Sequence, residues 1–337
     1  MSDDLFSTPP PAPKIGEYDL ATYRQLLAHL AARGLYLGTS SWKYPGWNGL
    51  IYDEARYQYR GKFARTRFEQ DCLAEYAETF SSVCVDAGYY QFPKAEYLAG
   101  LARQVPEGFQ FAFKVTDDIT LKRFPNVPRS GARAGLPNPN FLNAEMFRRL
   151  FLEPCAEFRS KIGPLIFEFS TFGKADFEHG RDFVAALDAF LGQLPKGWRY
   201  GVEIRNKGWL QPDYFAVLRS HGVAHVYNNW TRMPSVAEQM AIEGSRTADF
   251  AVARFLLKPG RTYEQAVAMF TPYEEIKERV DEAIGAAAKL LESSFELRHL
   301  VYIYINNRLE GSAPLTIAAI LQFAQIVKML MLQPELL

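Results

Sequence analysis

Apolar positions along the chain fall into short strand-like runs that alternate with stretches of helical spacing. Strands are predicted at Leu35–Thr39, Val83–Asp86, Phe109–Lys114, Leu165–Phe169, Tyr200–Arg205, Val223–Asn228, Phe250–Phe255 and Val301–Asn306. Helical spacing is predicted near 62–80, 94–104, 141–160, 175–193, 210–220, 235–243 and 272–293, and a last helix over 315–332. Roughly eight β-α units in strict alternation favour an α/β fold, a parallel sheet closed into a (β/α)8 TIM-type barrel. An open doubly wound sheet is the competitor. It usually needs fewer strands, and no Gly-x-Gly-x-x-Gly follows the first run.

Ahead of the barrel, a helix from about Leu20 to Arg33 is closed by Gly34 and forms an N-terminal extension. Residues 1–16 carry Pro9, Pro10, Pro11 and Pro13 among small polar residues and read as an extended or disordered leader. Residues 17–337 are then one barrel domain with its N-terminal helix.

The parity of the strands separates two faces. Val83 and Val85, Phe109 to Phe113 at every second place, Leu165 and Phe167, and Val301 and Ile303 are expected to face outward under helices. The other face ends polar near each strand's C-terminus, with Ser40, Asp86, Lys114, Glu168, Glu203, Arg205 and Asn306. Asn228 and Arg254 extend this set, although the pattern of their strands fits either face. Polar groups converging on the C-terminal rim are where barrel enzymes keep their chemistry.

Composition adds limits. The 337 residues are 48% hydrophobic and 23% charged, ordinary for a globular protein with a large core. The formal net charge is zero, which argues against a surface designed as a whole for nucleic acid. Cys72, Cys84 and Cys155 match neither a metal knuckle nor a disulfide framework, and the odd number fits a reducing compartment. With neither a signal-peptide pattern nor an apolar run long enough to span a membrane, the expected location is cytoplasmic.

The densest candidate chemistry is Tyr200-Gly-Val-Glu-Ile-Arg-Asn-Lys-Gly-Trp209. Val202 and Ile204 alternate with Glu203 and Arg205, so both charges share one face of a buried strand. Unpaired, each would carry a large desolvation cost; paired, they roughly offset one another. The loop after the first strand, Ser40 to Tyr52, sets Trp42, Tyr44, Trp47 and Tyr52 among Pro and Gly, a wall for a flat ligand. Behind it, residues 56–67 hold five cations and no acid, and the long loop from about Val115 to Asn140 holds Lys122, Arg123, Arg129 and Arg133. That second loop is expected as a lid or binding element over or beside the mouth, more mobile than the barrel, or else as a disordered stretch. Lys258, Arg261 and Arg308 follow the seventh and eighth strands on the same side. Cations gathered at the mouth of a neutral protein point to an anionic ligand. Convergent His or Cys ligands are lacking, which speaks against a transition metal, whereas Asp86, Glu168 and Glu203 are of the kind that hold a hard cation. There is no Gly-x-Ser-x-Gly for a serine nucleophile.

Gly38-Thr-Ser-Ser-Trp-Lys-Tyr-Pro-Gly-Trp47 resembles the opening Gly-Thr-Ser-Gly-Trp-x-Tyr-x-x-Trp signature of the YecE-like proteins, domain of unknown function 72. Similar matches follow at Tyr76-Ala77 with Phe80, Phe113-Lys114, Ile119-Thr120, Gly163-Pro164, Val202-Glu203-Ile204-Arg205 with Trp209, and Asn306-Asn307. The resemblance implies a TIM-type barrel with these residues around its C-terminal mouth and no established reaction. Likeness of that fold to endonuclease-IV-like and sugar-isomerase barrels suggests nucleic-acid or sugar chemistry by analogy. The chain departs from the family pattern at Cys84, Asp86, Leu121 and Glu168, and at Arg254-Phe-Leu-Leu257.

The combined expectation is an enzyme or binder acting on a small anionic, sugar-phosphate-like ligand, without a cofactor or a transition metal. Glu203 is the acid-base candidate, better suited to base or positioning group because Arg205 beside it favours the carboxylate. Arg205 orients it or binds the anion, and Lys114 and Arg254 complete a cationic floor. Trp42, Tyr44 and Trp209 form the wall, and Asp86, Asn228, Asn306 and Asn307 add polar contacts. The alternative is a non-catalytic barrel that binds nucleic acid or a nucleotide through its basic loops.

Overall fold

The structure, a computed structural model, describes residues 14–325 together with 327 and 328. Its centre is a closed barrel of eight parallel strands, each paired with its neighbour in sequence and the last with the first. They are β1 (Leu35–Thr39), β2 (Ser82–Val85), β3 (Gln110–Lys114), β4 (Ile162–Glu168), β5 (Tyr200–Glu203), β6 (Ala224–Asn228), β7 (Phe250–Phe255) and β8 (Leu300–Ile305). Each lies where the apolar pattern puts it. The helix Leu20–Ala32 precedes β1, with the Asp19 side chain accepting from Thr22 N at 2.9 Å as its N-cap.

Alternation along the strands sorts side chains into two packed layers. Cys84, Ala112, Ile166, Val226, Val252, Tyr302 and Tyr304 fill the barrel interior. Val83, Val85, Phe111, Phe113, Leu165, Phe167, Val301 and Ile303 join the larger core under the helices. The interior is a solid plug. Tyr304 donates to Ser82 Oγ at 2.8 Å, and Ser82 Oγ donates to the Gln110 carbonyl at 2.7 Å, so the buried hydroxyls are satisfied. Gly38 permits the close approach of β1 to β2: a Cβ there would stand 2.2 Å from the Ser82 carbonyl oxygen. The β3–β4 register shifts between Phe111 and Phe113, opposite Gly163-Pro164, where proline brings no ladder N–H.

Three predicted elements differ. The helix expected over 272–293 is instead Tyr263–Phe270 followed, after an irregular stretch, by Asp281–Glu296. Thr262 and Gln265 cap the first reciprocally, and Pro272, lacking an N–H, keeps it from continuing. The stretch between is tied down by Lys277 N and Glu278 N bonding the Glu310 carbonyl at 2.9 and 3.3 Å. The helix expected over 141–160 is broken into Ala144–Phe147, a wide turn Arg148–Leu152, and the short Glu153–Cys155 and Ala156–Lys161, because Pro154 cannot bond back to the preceding turn. Within the expected leader, Lys14–Ile15 pairs with Tyr18–Asp19; the rest of it, 1–13, and the end of the last helix beyond Ala313–Phe323, in part, lie outside the described residues.

The loop after β3 is cross-linked by its own hydrogen bonds. Phe124 N bonds the Leu136 carbonyl and Gly135 N the Phe124 carbonyl, both at 3.0 Å, and Asn138 Nδ2 donates to the carbonyls of Asp118 and Leu121. Three of its cations are engaged locally. Arg133 pairs with Asp118 at 2.7 Å, Arg123 donates to the Gly135 carbonyl, and Lys122 lies 3.9 Å from the Phe177 ring centre.

Candidate functional site

The ends of β2, β3, β4, β5 and β7 bring six charged side chains into one network: Asp86, Lys114, Glu168, Glu203, Arg205 and Arg254. Adjacent strands set their positions, with Glu168 in register with Glu203 across the β4–β5 ladder. Arg205 lies just past the end of β5, on the same side as Glu203. Between them, the Ile204 carbonyl accepts from Asn228 Nδ2 at 3.3 Å. Asn228 is fully buried and clamps the backbone that carries the pair.

Arg254 touches all three carboxylates. Its Nη1 lies 2.6 Å from Glu168 Oε2 and 2.6 Å from Glu203 Oε2, and its Nη2 lies 3.4 Å from Asp86 Oδ1. Arg205 takes the other oxygen of Glu203 through Nε at 3.0 Å and Nη2 at 2.8 Å, and reaches Glu168 Oε2 at 3.0 Å. Lys114 Nζ is 3.0 Å from Glu168 Oε2 and 3.9 Å from Asp86 Oδ1. The arrangement alternates in sign, and three cations balance three carboxylates. The expected cationic floor is therefore a neutral one, because Asp86, Glu168 and Glu203 face inward with the bases. Arg254 also stands among the three carboxylates that sequence reasoning set aside for a hard cation. Among the described residues, no group of three or more His, Cys, Asp or Glu is arranged to hold a metal ion.

Burial grades the network from inside to outside. Glu203 is completely buried, Arg254 is 2% and Glu168 7% exposed, and the Asp86 side chain is 38% exposed. Burial opposes ionisation of Glu168, but Arg205, Lys114 and Arg254 together outweigh it and hold the carboxyl well below its usual range. Burial likewise works against the Lys114 ammonium, and the Glu168 and Asp86 charges outweigh it, so its pKa is raised. At neutral pH Glu168 is a carboxylate and Lys114 an ammonium. Arg254 Nε has no hydrogen-bond partner among the described residues, so the buried network is not fully satisfied.

Two aromatic rings close over the charges that sequence reasoning did not single out. The Arg205 guanidinium lies 3.9 Å from the Trp230 ring centre, and Lys114 Nζ 4.1 Å from that of Tyr89. Both residues follow a strand end within a few positions, which was the available signal. Glu168 was legible on the polar rim by its parity, but only as a candidate for a hard cation and not as the shared partner of Lys114, Arg205 and Arg254.

Other expected residues lie around the network or away from it. Tyr44 packs on Trp47 and Tyr273, at 5.0 and 5.4 Å between ring centres, and burial pushes its phenol up to about 12. Trp42 is buried, with Lys43 Nζ 5.7 Å from its ring centre. Asn306 Oδ1 accepts from Arg308 N at 3.0 Å, and Asn307 Oδ1 from Ala313 N at 2.7 Å, so both shape the turn into the last helix. Trp209 belongs to a separate aromatic cluster with Phe172 and Phe183, at 5.6 and 5.3 Å. It lies so close to Gly180 that a Cβ there would come within 2.7 Å of the indole. The rings that lie against the charged network are Trp230 and Tyr89, not Trp209.

Comparison with known proteins gives a family without an activity. The family model described as a protein of unknown function, DUF72, matches residues 36–335. Among solved structures, a DUF72 family protein of Enterococcus faecalis is 19% identical with a TM-score of 0.56, over 87% of this chain and 95% of that one. A DUF72 family protein of Thermotoga maritima is 18% identical with a TM-score of 0.55, over 87% of this chain and 99% of that one. No curated protein matches. Among the described residues, no helix is long and apolar enough to cross a membrane.

Proposed function

We propose, from the premise that the chain belongs to the DUF72 family, that its C-terminal mouth takes a small anionic ligand of the sugar-phosphate kind. One observation carries the reading: Asp86 is the most exposed and most loosely held anion of an otherwise buried network. It stands 3.9 Å from Lys114 and 3.4 Å from Arg254, whereas the other carboxylates are held at 2.6–3.0 Å. A ligand anion replacing Asp86 leaves three cations against two carboxylates, a site short of one negative charge. Lys114 and Arg254 then meet the anion, and Tyr89 and Trp230 offer ring faces to a sugar.

The arrangement suits stabilisation of negative charge better than abstraction of a proton. Glu203 has both oxygens held by arginines and acts as a positioning residue. Any acceptor role falls to Glu168, which lies nearer solvent, and Lys114 is the donor that faces the anion. The nucleic-acid alternative draws less support. Beyond the engaged cations of the β3 loop, Arg56, Arg65 and Arg67 pair with Glu78, Glu69 and Asp71.

Calorimetry with ribose 5-phosphate and glucose 6-phosphate tests the reading on three chains. Asp86→Ala should bind about tenfold tighter than the parent, because a competing like charge is removed. Lys114→Met should lose binding at least tenfold. Sugar phosphates that bind none of the three chains, or bind all three equally, would sink the reading.

A further inference from the structure

The opposite end of the barrel holds a basin of about 890 Å³, lined by Tyr36, Arg159, Trp198, Arg199, Arg298 and Tyr302 among others. We propose that this N-terminal basin is a second ligand site, built for a small phosphorylated molecule with a flat ring, such as a nucleoside monophosphate. The N-terminal face of such a barrel ordinarily carries residues that serve stability alone. Three features here exceed that role.

The first is charge. Arg159, Arg199 and Arg298 line the basin, and Asp249 is the one carboxylate residue lining it among those described. Among the described residues, none of the three arginines has a carboxylate partner within ion-pair distance. An adjoining cavity of about 550 Å³ adds Lys196, Arg219 and Arg246 and shares the same Asp249. This is a strongly cationic end on a chain whose 38 basic and 38 acidic residues cancel. Guanidinium forks match phosphate oxygens in pairs, which favours a phosphate over a single point charge.

The second feature is a ring-binding floor. Tyr36 stacks on Tyr302 with 4.9 Å between ring centres and 5° between planes. The Arg159 guanidinium lies 4.9 Å from the Trp198 ring centre, while its Nη2 donates to the Gly197 carbonyl at 2.7 Å. The volume exceeds what an inorganic phosphate needs and suits a molecule of nucleotide size.

The third is Arg298 itself, held at φ +54° just past the helix Asp281–Glu296. His299 N bonds the Ser294 carbonyl at 2.9 Å, the wrap that ends a helix and normally places glycine at this position. A left-handed arginine is strained there. An arginine stands at this glycine position, and it puts a third guanidinium-bearing residue on the rim of the basin.

The test uses the full chain, with adenosine 5′-monophosphate and inorganic phosphate as probes in calorimetry at low salt. The parent should bind the monophosphate at least tenfold tighter than phosphate. Arg199→Gln should weaken it tenfold or more, and Arg298→Gly at least fivefold while raising the Tm by about 2 °C as the strain is released. Lys114→Met, at the other end, should leave this binding unchanged. The proposal is overturned by absence of binding, by equal affinity for the two probes, by loss in Lys114→Met instead, or by an oligonucleotide that binds where the monophosphate does not.

Discussion

Replacing Arg254 by Met should cost the fold roughly 3–5 kcal/mol, because it leaves Glu203 and Glu168 ionised in a dry place with a cation removed. Adding Glu203→Gln to the same chain should restore much of that loss, since an uncharged amide needs no counter-ion. Urea unfolding of the parent, the two single variants and the double variant gives the cycle directly. Arg205→Met should cost less, because Glu203 keeps Arg254 on Oε2 and Glu168 keeps Lys114 and Arg254. A loss of under about 1 kcal/mol for Arg254→Met, the scale of exposed pairs, would show that water reaches the network and that its members are not bound by burial. The same cycle separates architecture from site. Arg254 and Glu203 form the inner half, whereas Asp86 and Lys114 at the outer half should change ligand response more than stability.

Acid should destabilise the protein in two separable windows. His225 is buried on the outer face of β6, against Tyr214 and Gln239, and burial pushes its pKa down to about 4. The unfolded chain binds a proton at this residue near pH 6.5, and the native chain does not until about pH 4. Stability present above pH 6.5 is thus lost as the pH falls toward 4, by about 3 kcal/mol at most, and no further below it. Glu168 acts lower. Its folded carboxyl is held well below the usual range, so the stability it contributes is present above the unfolded carboxylate pKa and is lost as the pH falls through the folded one. His225→Gln should flatten the pH 4–6.5 part of the stability profile and leave the lower part in place. A profile that keeps its full slope in that upper window would show that His225 is protonated in the native chain.

The barrel was readable in the sequence because its strands are local. Each of the eight runs is short, apolar and set apart from the helical spacing around it, and Glu203 with Arg205 declares a shared face by spacing alone. The network around that pair was readable only in part, because closure of the sheet creates it. Phe250-Ala-Val-Ala-Arg-Phe255 is apolar on both faces, as a strand buried on both sides must be, so nothing in it says which way Arg254 points. Its three acidic partners come from β4, β5 and the residue after β2, far apart in the chain. The neutral character of the floor follows from those distant pairings, and a count of cations near strand ends could not show it. Trp209 follows a strand like the mouth residues, but its ring packs with Phe172 and Phe183, a contact that spacing alone does not show. The missed helix Tyr263–Phe270 is only eight residues long, set between Gly260 and Pro272, too short for its period to stand out.

The packed interior of the barrel also governs what its two ends can tell each other. Tyr302, Val252, Val226, Ile166 and Cys84 stand between the basin and the charged mouth, with no exposure above 1% among them. Allosteric communication requires an element with two arrangements that both ligands bias, and a close-packed plug of this kind offers one arrangement. Occupancy of one end should therefore leave affinity at the other within about a factor of two, far less than the 5–150-fold typical of linked sites. Two ligands bound together should stabilise the chain by the sum of their separate effects. The fold would then serve as a rigid spacer, holding two recognition events a barrel's length apart and keeping them thermodynamically independent.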